Sequence, residues 1–306
     1  MLKKIILKLA VFFVLLVVLD LVAGAVIRKI YSKQNHGGGY RITYVLEKAT
    51  PDIIILGSSK ANHHYIATVM QDSLKATCYN AGRDGNFISY ANAETNSILK
   101  RYHPKVIILD ILDDEFEKRS YKIEDRVSSL LPYYKTHPEI REIVDLKSPL
   151  EKYKLLSGMY TFNSLLVPTI TGALDLNNRK EEEKTLGYIP LNGSWDGEMS
   201  IIDSRNERLD SNKVKALENI ITACNEKKVK LVIVVSPTYK KFTQDYNPTV
   251  ALAAKMADSS KVYFWNYLQD TTYLNHKNLF IDIRHLNHDG ATVFTADVIR
   301  KIKALQ

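Results

Sequence analysis

Two adjacent serines, Ser58 and Ser59, follow an apolar run that ends in Gly57, in the stretch IIILGSSK. The β-branched run predicts a buried strand, and the residues after the glycine predict the start of a helix. A serine at this junction lies at the positive end of a helix dipole, where a developing oxyanion is stabilised. The same place also suits an N-capping serine, which is the commoner use. A nucleophile and a helix cap therefore both stay open from this stretch alone.

A carboxylate and an imidazole lie close together near the C-terminus, in the stretch DIRHLNHDG. Asp282 and His285 are three positions apart and precede a predicted helix, so that one loop can hold both. The carboxylate would orient the imidazole, which would take the proton of a serine and pass it to a leaving group. We expect Asn287 to cap the following helix and Gly290 to let that helix pack closely.

The chain between these stretches alternates apolar strands with helices. Strands are predicted at 52–56, 76–80, 105–112, 230–235 and 261–265, and helices at 60–74, 88–102, 213–228, 250–257 and 289–304. This order predicts a three-layer α/β/α fold with a parallel sheet that is buried on both faces. In such a fold the site lies at the carboxyl ends of the strands, where both stretches above would meet.

Residues 9–27 read LAVFFVLLVVLDLVAGAVI and contain a single charged residue, Asp20. The run is long enough to cross a bilayer as a helix. Lysines in the preceding segment, 1–8, predict that this end stays in the cytoplasm and that the C-terminal domain lies outside, in the periplasm or beyond the cell. We expect Asp20 either to pair with a partner helix or to lie near the outer interface.

A cleaved secretory signal is the alternative, because small residues at 23–25 resemble a cleavage site. The apolar run is longer than a usual signal core, which favours an uncleaved signal-anchor. We expect residues 28–50 to form a flexible stalk, since they include three successive glycines. The soluble domain is predicted at 51–306, with a mainly helical insertion at about 115–210 that breaks the strand–helix rhythm.

The composition excludes several classes of protein. The chain has 306 residues, 45% of them hydrophobic and 25% charged, which is typical of a globular protein. The net charge is +8, but no basic stretch alternates with aromatic residues, so nucleic acid is not an expected partner. The two cysteines, Cys78 and Cys224, are predicted to be buried free thiols, and a disulfide outside the cytoplasm stays open as the alternative. No metal-binding or cofactor motif occurs in the sequence.

Three stretches together resemble the motifs of the SGNH/GDSL hydrolase family. IIILGSSKA is similar to the first block, whose nucleophile is the second residue after the glycine, here Ser59. NAGRDGN is similar to the second block, whose later glycine, here Gly85, gives a backbone N–H to the oxyanion hole. DIRHLNHDG is similar to the last block and implies that Asp282 and His285 complete a catalytic triad with Ser59.

The resemblance covers about residues 51–112 and 212–306 and implies a flavodoxin-like sheet of five strands. An α/β-hydrolase would give the same order of serine, aspartate and histidine. It is disfavoured because the chain has no Gly-x-Ser-x-Gly elbow and because its acid and histidine are so close together.

The third block departs from the family pattern. The family has Gly-x-Asn-Asp after the third strand, and the asparagine side chain donates to the oxyanion. Here ILDILDDEF places Asp113 about where that asparagine is expected. An ionised carboxylate cannot donate a hydrogen bond, and losing one such donor costs about 3 kcal/mol of transition-state stabilisation. Three explanations stay open: Asp113 is protonated, another side chain (Lys60, Arg83 or Asn86) supplies the missing donor, or the activity is low. Lys60, Arg83 and Asn86 are also candidates for substrate binding.

The resemblance implies a membrane-anchored serine esterase or O-acyltransferase that acts on acyl groups, foremost acetyl, of a cell-envelope glycan. Its expected partners are the acylated glycan or acyl donor, membrane lipid along residues 9–27, and a membrane acyltransferase. The alternative is a catalytically degenerate relative that binds polysaccharide or assists a membrane O-acyltransferase. Two further histidines follow the first block; of His63 and His64, we expect one to be buried and the other solvated.

Overall fold

The computed structural model describes residues 1–118, 126–174, 184–202, 208–243 and 247–305. Parts of the predicted insertion, at 119–125, 175–183 and 203–207, lie outside these ranges. The chain forms two compact units: Met1–Tyr44 with Val127–Lys180, and Val45–Arg126 with Glu181–Gln306.

The first unit is helical. Its helices are α1 (Leu2–Ser32), α2 (Gly37–Thr43), α6 (Arg141–Asp145), α7 (Glu151–Lys154) and α8 (Leu166–Ala173). Helix α1 contains the whole predicted apolar run, and its most apolar window has a mean hydropathy of 2.9 with none of its residues buried. Length and composition make α1 a candidate membrane anchor or signal.

The predicted flexible stalk is helical instead. Helix α1 continues to Ser32, α2 follows at Gly37–Thr43, and a π-helical turn covers Tyr44–Lys48. Of the three glycines, Gly39 serves close packing, because a Cβ there would collide with the side chain of Gln34.

A parallel sheet of five strands forms the core of the second unit. Its strands are β1 (Ile53–Gly57), β2 (Cys78–Asn80), β3 (Val106–Asp110), β5 (Lys230–Val235) and β7 (Tyr263–Asn266). Their order is β2-β1-β3-β5-β7, and every residue of β1 and β3 is buried. Counted along the chain this is the flavodoxin order 2-1-3-4-5, so the predicted fold class is confirmed.

Helices cover both faces of this sheet and make the three layers. They are α3 (Ser59–His64), α4 (Ala67–Leu74), α5 (Ile88–Arg101), α9 (Ser211–Glu226), α10 (Pro248–Ser260), α11 (Thr271–Leu274) and α12 (His288–Lys303). Helices α5 and α9 pack together, and α12 packs on α3 and α4. Two short strands, β4 (Ser200–Ile202) and β6 (Lys240–Phe242), form a separate parallel pair. Both cysteines are free and buried, as predicted.

The helix predicted at 60–74 is broken at Tyr65 and Ile66. Tyr65 is extended, and its hydroxyl donates to Asp110 at the end of β3, 2.5 Å away. The N–H of Ile66 donates to the Thr295 hydroxyl at 3.0 Å. The Ile66 bond takes the place of a helical one, the Tyr65 bond holds that side chain at the strand end, and α3 is left as a separate helix of six residues.

Helix α3 is held against the end of β2 by a glycine. A Cβ on Gly82 would lie 2.5 Å from the backbone nitrogen of Asn62 and 2.6 Å from the Cβ of Ala61. Real Cβ atoms do not approach so closely, so a larger residue here must displace α3.

We therefore expect Gly82→Ala to lower the free energy of unfolding of the second unit by about 1–3 kcal/mol, through overpacking against α3. Urea unfolding of the detergent-solubilised full chain measures this by tryptophan fluorescence, since Trp195 and Trp265 both lie in that unit. The matched control is Val69→Ala on the exposed face of α4, which should change stability by less than about 0.5 kcal/mol. Equal stability of the two variants would contradict the packing account.

Candidate active site

Folding brings Ser59 and His285 together across 226 positions of sequence: Ser59 Oγ lies 2.7 Å from His285 Nε2. Ser59 is the first residue of α3, directly beyond the carboxyl end of β1. The chain turns sharply at Gly57, whose φ of +140° and whose approach to the Asp110 carbonyl require a glycine. Ser58 occupies the N-cap position, but its hydroxyl makes no capping bond.

The imidazole of His285 is oriented by Asp282. His285 Nδ1–H donates to Asp282 Oδ2 at 2.8 Å, which leaves Nε2 as the acceptor that faces Ser59. The other carboxylate oxygen accepts the backbone N–H groups of Arg284 at 2.6 Å and of His285 at 2.8 Å. Partial burial raises the pKa of Asp282, but the bonds from His285 and Arg284 outweigh it, so that the pKa is lowered overall and the carboxylate stays ionised.

A second histidine, His64, ties the loop of His285 to the helix of Ser59. Its Nε2 accepts the backbone N–H of Leu286 at 3.0 Å, and its Nδ1 lies 3.1 Å from the Ser236 hydroxyl. An N–H partner can bond only to an unprotonated ring nitrogen, so His64 must be neutral. Complete burial, with the charges of Lys60 and the other histidines, holds the pKa of His64 well below its usual value.

The other end of the His285 loop is fixed by Asn287. Its side chain accepts the N–H of Gly290 at 2.9 Å and so caps α12, as predicted. The same amide donates to the carbonyls of Gly193 at 2.8 Å and Asn278 at 2.7 Å. Gly290 packs against the Leu279 carbonyl, where a Cβ would collide.

His63 contacts Asp84 rather than the serine. Its Nε2 lies 3.1 Å from Asp84 Oδ1, and its Nδ1 lies 2.7 Å from the Ile189 carbonyl. Hydrogen bonds from His63 and Asn62 lower the pKa of Asp84 despite its burial. The prediction that one of His63 and His64 is solvated is wrong, because both side chains are buried. His63 is covered because its ring bonds to the Ile189 carbonyl and contacts Asp84, and His64 because its ring bonds to the loop of His285.

A cavity of about 120 Å³ opens beside Ser59 and His285. It is lined by Ser58, Ser59, Lys60, Gly85, Phe87, Leu112, Arg284 and His285. Gly85 has a φ of +75°, a turn conformation that favours glycine. Neither the Ser59 nor the Gly85 backbone N–H donates to an acceptor in the part of the chain that the structure describes. Both groups are therefore available to an oxygen atom in the cavity.

Asp113 is not brought to this cavity. Its side chain is buried against Lys240 of β6, whose Nζ lies 3.0 Å from Oδ2 and 3.3 Å from Oδ1. Its backbone carbonyl accepts the side-chain N–H of Asn247 at 3.0 Å. Asp113 therefore lies outside the cavity, and the prediction that it belongs to the oxyanion hole is wrong. The reason is physical: a carboxylate here gains a buried ammonium partner and turns away from the serine.

The three predicted substrate-binding residues differ in their surroundings. Lys60 lines the cavity, but it is buried and its Nζ donates to the Ser236 carbonyl at 2.6 Å. Burial lowers the pKa of Lys60, and the carboxylates of Asp110 and Asp113 oppose that shift. Arg83 is partly exposed, with its guanidinium 3.5 Å from the Tyr90 hydroxyl. Asn86 is buried, and its amide has no partner among the described residues.

Sequence reasoning missed the residues that support the triad. His64, Ser236 and Lys240 act through partners far away in the chain, so no local motif reveals them. Arg284 is a further cavity residue, paired with Asp114 at 3.4 Å and partly exposed. Its position between Asp282 and His285 is the one signal that could have placed it at the site.

Comparisons with known proteins give distant likenesses to solved structures. No family model matches the chain, and no curated protein is significantly similar to it. A Bacteroides fragilis structure, provisionally assigned as an acylhydrolase, shares 10% identity over 85% of this chain and 94% of its own, with a TM-score of 0.40. A lipase/acylhydrolase from Enterococcus faecalis shares 12% identity over 82% of this chain and 95% of its own, with a TM-score of 0.37. Likenesses this low say nothing of activity.

The neutral state of His64 predicts a pH dependence of stability. The folded state holds His64 below its usual pKa of about 6.5, so the unfolded chain binds the extra proton first as the pH falls. The contribution of His64 is thus complete above pH 6.5 and decreases below it, by up to about 1.4 kcal/mol per pH unit. His64→Gln keeps an acceptor for the Leu286 N–H and cannot titrate, so its free energy of unfolding should fall less between pH 7 and pH 5.

Urea unfolding at both pH values, followed by tryptophan fluorescence, measures this difference. His103→Gln changes an exposed histidine and should leave the pH dependence of the wild type in place. An equally steep loss of stability in His64→Gln would show that His64 is not the group responsible.

Proposed function

We propose that this chain is a membrane-anchored serine esterase or O-acyltransferase that acts on short acyl groups, foremost acetyl, of a cell-envelope glycan. The observation that carries the proposal is the unbroken series of hydrogen bonds from Ser59 Oγ through His285 to Asp282, at the mouth of a cavity. Serine, histidine and aspartate in this order and tautomer are the machinery of acyl transfer on many unrelated folds.

The proposed reaction proceeds through an acyl-enzyme. Ser59 Oγ attacks the ester carbonyl while its proton moves to His285 Nε2, and the carbonyl oxygen becomes an oxyanion. The tetrahedral adduct collapses, the C–O bond to the leaving alcohol breaks, and His285 gives that alcohol its proton. Asp282 stabilises the imidazolium during both steps without taking the proton itself.

Two backbone N–H groups supply the proposed oxyanion hole. Ser59 and Gly85 both line the cavity, and their N–H groups have no acceptor among the described residues. A pair of backbone N–H groups is also the oxyanion hole of the chymotrypsin-type enzymes, so a third donor is not obligatory. Since Asp113 forms an ion pair with Lys240, its charge is compensated and does not oppose the oxyanion at close range.

The size of the cavity supports a small acyl group. A volume of about 120 Å³ is well below the roughly 300–1,000 Å³ of pockets that enclose drug-sized ligands. It suits an acetyl group between Phe87 and Leu112, with the alcohol portion outside. Hydrolysis and transfer then differ only in whether water or a sugar hydroxyl resolves the acyl-enzyme.

Membrane attachment is proposed from α1. Its apolar run is of bilayer length, and the lysines before it favour a cytoplasmic N-terminus with the catalytic unit outside. An enzyme so placed faces envelope glycans.

A non-catalytic role is the second candidate. The absence of the family's asparagine at Asp113 favours it, because a site with fewer oxyanion donors has less catalytic power. In that case the second unit would bind acylated polysaccharide or assist a membrane acyltransferase. Cellular acylation that is unchanged by Ser59→Ala but lost on deletion of the protein would favour this candidate.

We expect Ser59→Ala to lower kcat for nitrophenyl acetate by about 10⁴-fold or more, because the nucleophile is lost. The measurement is steady-state hydrolysis by the solubilised full chain. Ser259→Ala is the control, since this exposed serine on α10 does not line the cavity; it should keep activity within a few-fold of wild type. Equal activity of both variants would refute Ser59 as the nucleophile.

A further inference from the structure

The first unit has an apolar surface that the proposed catalytic function does not use. Twenty consecutive residues, 155–174, carry no charge. Large apolar side chains here and just before are between 40% and 69% exposed: Leu146, Leu150, Tyr153, Leu156, Met159, Val167, Ile170 and Leu174. An exposed apolar surface of this extent marks an interaction site.

This surface is attached to the apolar helix α1 by Asp20. Its carboxylate accepts the Ser157 hydroxyl at 2.7 Å, the Gly158 N–H at 2.7 Å and the Met159 N–H at 3.3 Å. Gly24, one turn further along α1, packs directly on the Gly158 backbone with no room for a Cβ on either residue. The segment around Gly158 is therefore fixed at a defined height on α1.

That height lies within the bilayer-length run. Asp20 comes seven residues before Ile27, the last residue of the apolar run. Seven residues span about 10 Å along a helix axis. If α1 spans the membrane, residues 157–159 lie roughly 10 Å inside the outer boundary of the hydrocarbon. Interfacial helices enter a bilayer to about 5–10 Å.

Polar groups next to Gly158 make internal hydrogen bonds, as groups in hydrocarbon must. The Thr161 hydroxyl donates to the Gly158 carbonyl at 2.8 Å, and the Tyr160 N–H donates to the Ser157 hydroxyl at 3.0 Å. Glu151 is buried and accepts the Tyr160 hydroxyl at 2.7 Å and the Lys154 ammonium at 3.3 Å. Asp20 itself, costly in a bare membrane helix, has three donors.

The charged groups fit the position of the lipid headgroups. Lys152 and Lys154 are exposed at the start of the uncharged stretch, where long side chains reach the interface and anionic lipid attracts them. Arg28, just beyond the apolar run, donates to the Pro132 carbonyl at 2.9 Å. Arg28 thus lies at the level where α1 leaves the hydrocarbon, and the two lysines lie at the start of the uncharged stretch.

We infer that residues 146–174 form a second membrane element, which enters the outer leaflet beside α1 and presents its exposed apolar side chains to lipid acyl chains. The inference rests on the proposed membrane anchor. The protein would then be attached to the membrane by two elements, α1 and residues 146–174. Asp20 would have the structural role of joining them at membrane depth.

Tryptophan quenching by lipids tests this inference with the full chain in nanodiscs. Tryptophan is introduced singly at Leu156, Val167, Leu15 or Val69, all exposed positions. The phospholipid carries bromine near the headgroup end or near the middle of its acyl chains, and the emission of Trp195 and Trp265 in the wild type is subtracted. Leu15→Trp reports on the anchor, and Val69→Trp on the second unit.

We expect quenching of Leu156→Trp and Val167→Trp to be severalfold stronger than that of Val69→Trp, and quenching of Leu156→Trp to be strongest with bromine near the middle of the acyl chains. Quenching of Leu15→Trp alone would overturn the inference, leave the anchor intact, and assign the surface to a protein partner. If Leu15→Trp is not quenched, the anchor itself is wrong and the inference fails with it.

Discussion

The hydrogen bond between Ser59 and His285 depends on helix α3, which is only six residues long and is held at both of its ends. Ser59 begins the helix, where the turn at Gly57 fixes it over β1. His64 ends the helix and accepts the N–H of Leu286, the residue after the base. The same helix therefore sets the position of the nucleophile and that of the loop that carries the imidazole. A short element can do this because every side chain of α3 after Ser59 is buried.

Buried charges beneath the site are the second constraint. The Lys60 ammonium donates to the Ser236 carbonyl, and Ser236 also contacts His64. Asp110 accepts the Tyr65 hydroxyl, while Asp113 takes Lys240 as its partner. A buried charge without a partner is strongly destabilising, so each of these bonds selects one arrangement of the loops at the sheet edge. The charged layer positions the triad and does not itself touch the cavity, except through Lys60.

The sequence contained enough to predict the sheet and the meeting of Ser59 with the Asp282–His285 loop, because strand ends of a parallel sheet converge at one edge. It could not predict the break at Tyr65, since that depends on a hydrogen bond to a strand 45 positions away. The three glycines after α1 predicted a flexible segment, yet Gly39 packs closely against the side chain of Gln34. Asp113 aligned with a motif position, and only the folded chain shows that Lys240 removes it from the site.

The most direct test of the central claim is intact-mass measurement of the full chain after reaction with a fluorophosphonate, followed by peptide mapping. The account predicts one adduct, on Ser59, that does not form in His285→Ala because the hydroxyl then lacks its base. An adduct on another residue, or no adduct on a folded wild-type chain, would contradict the claim that this hydroxyl is an activated nucleophile.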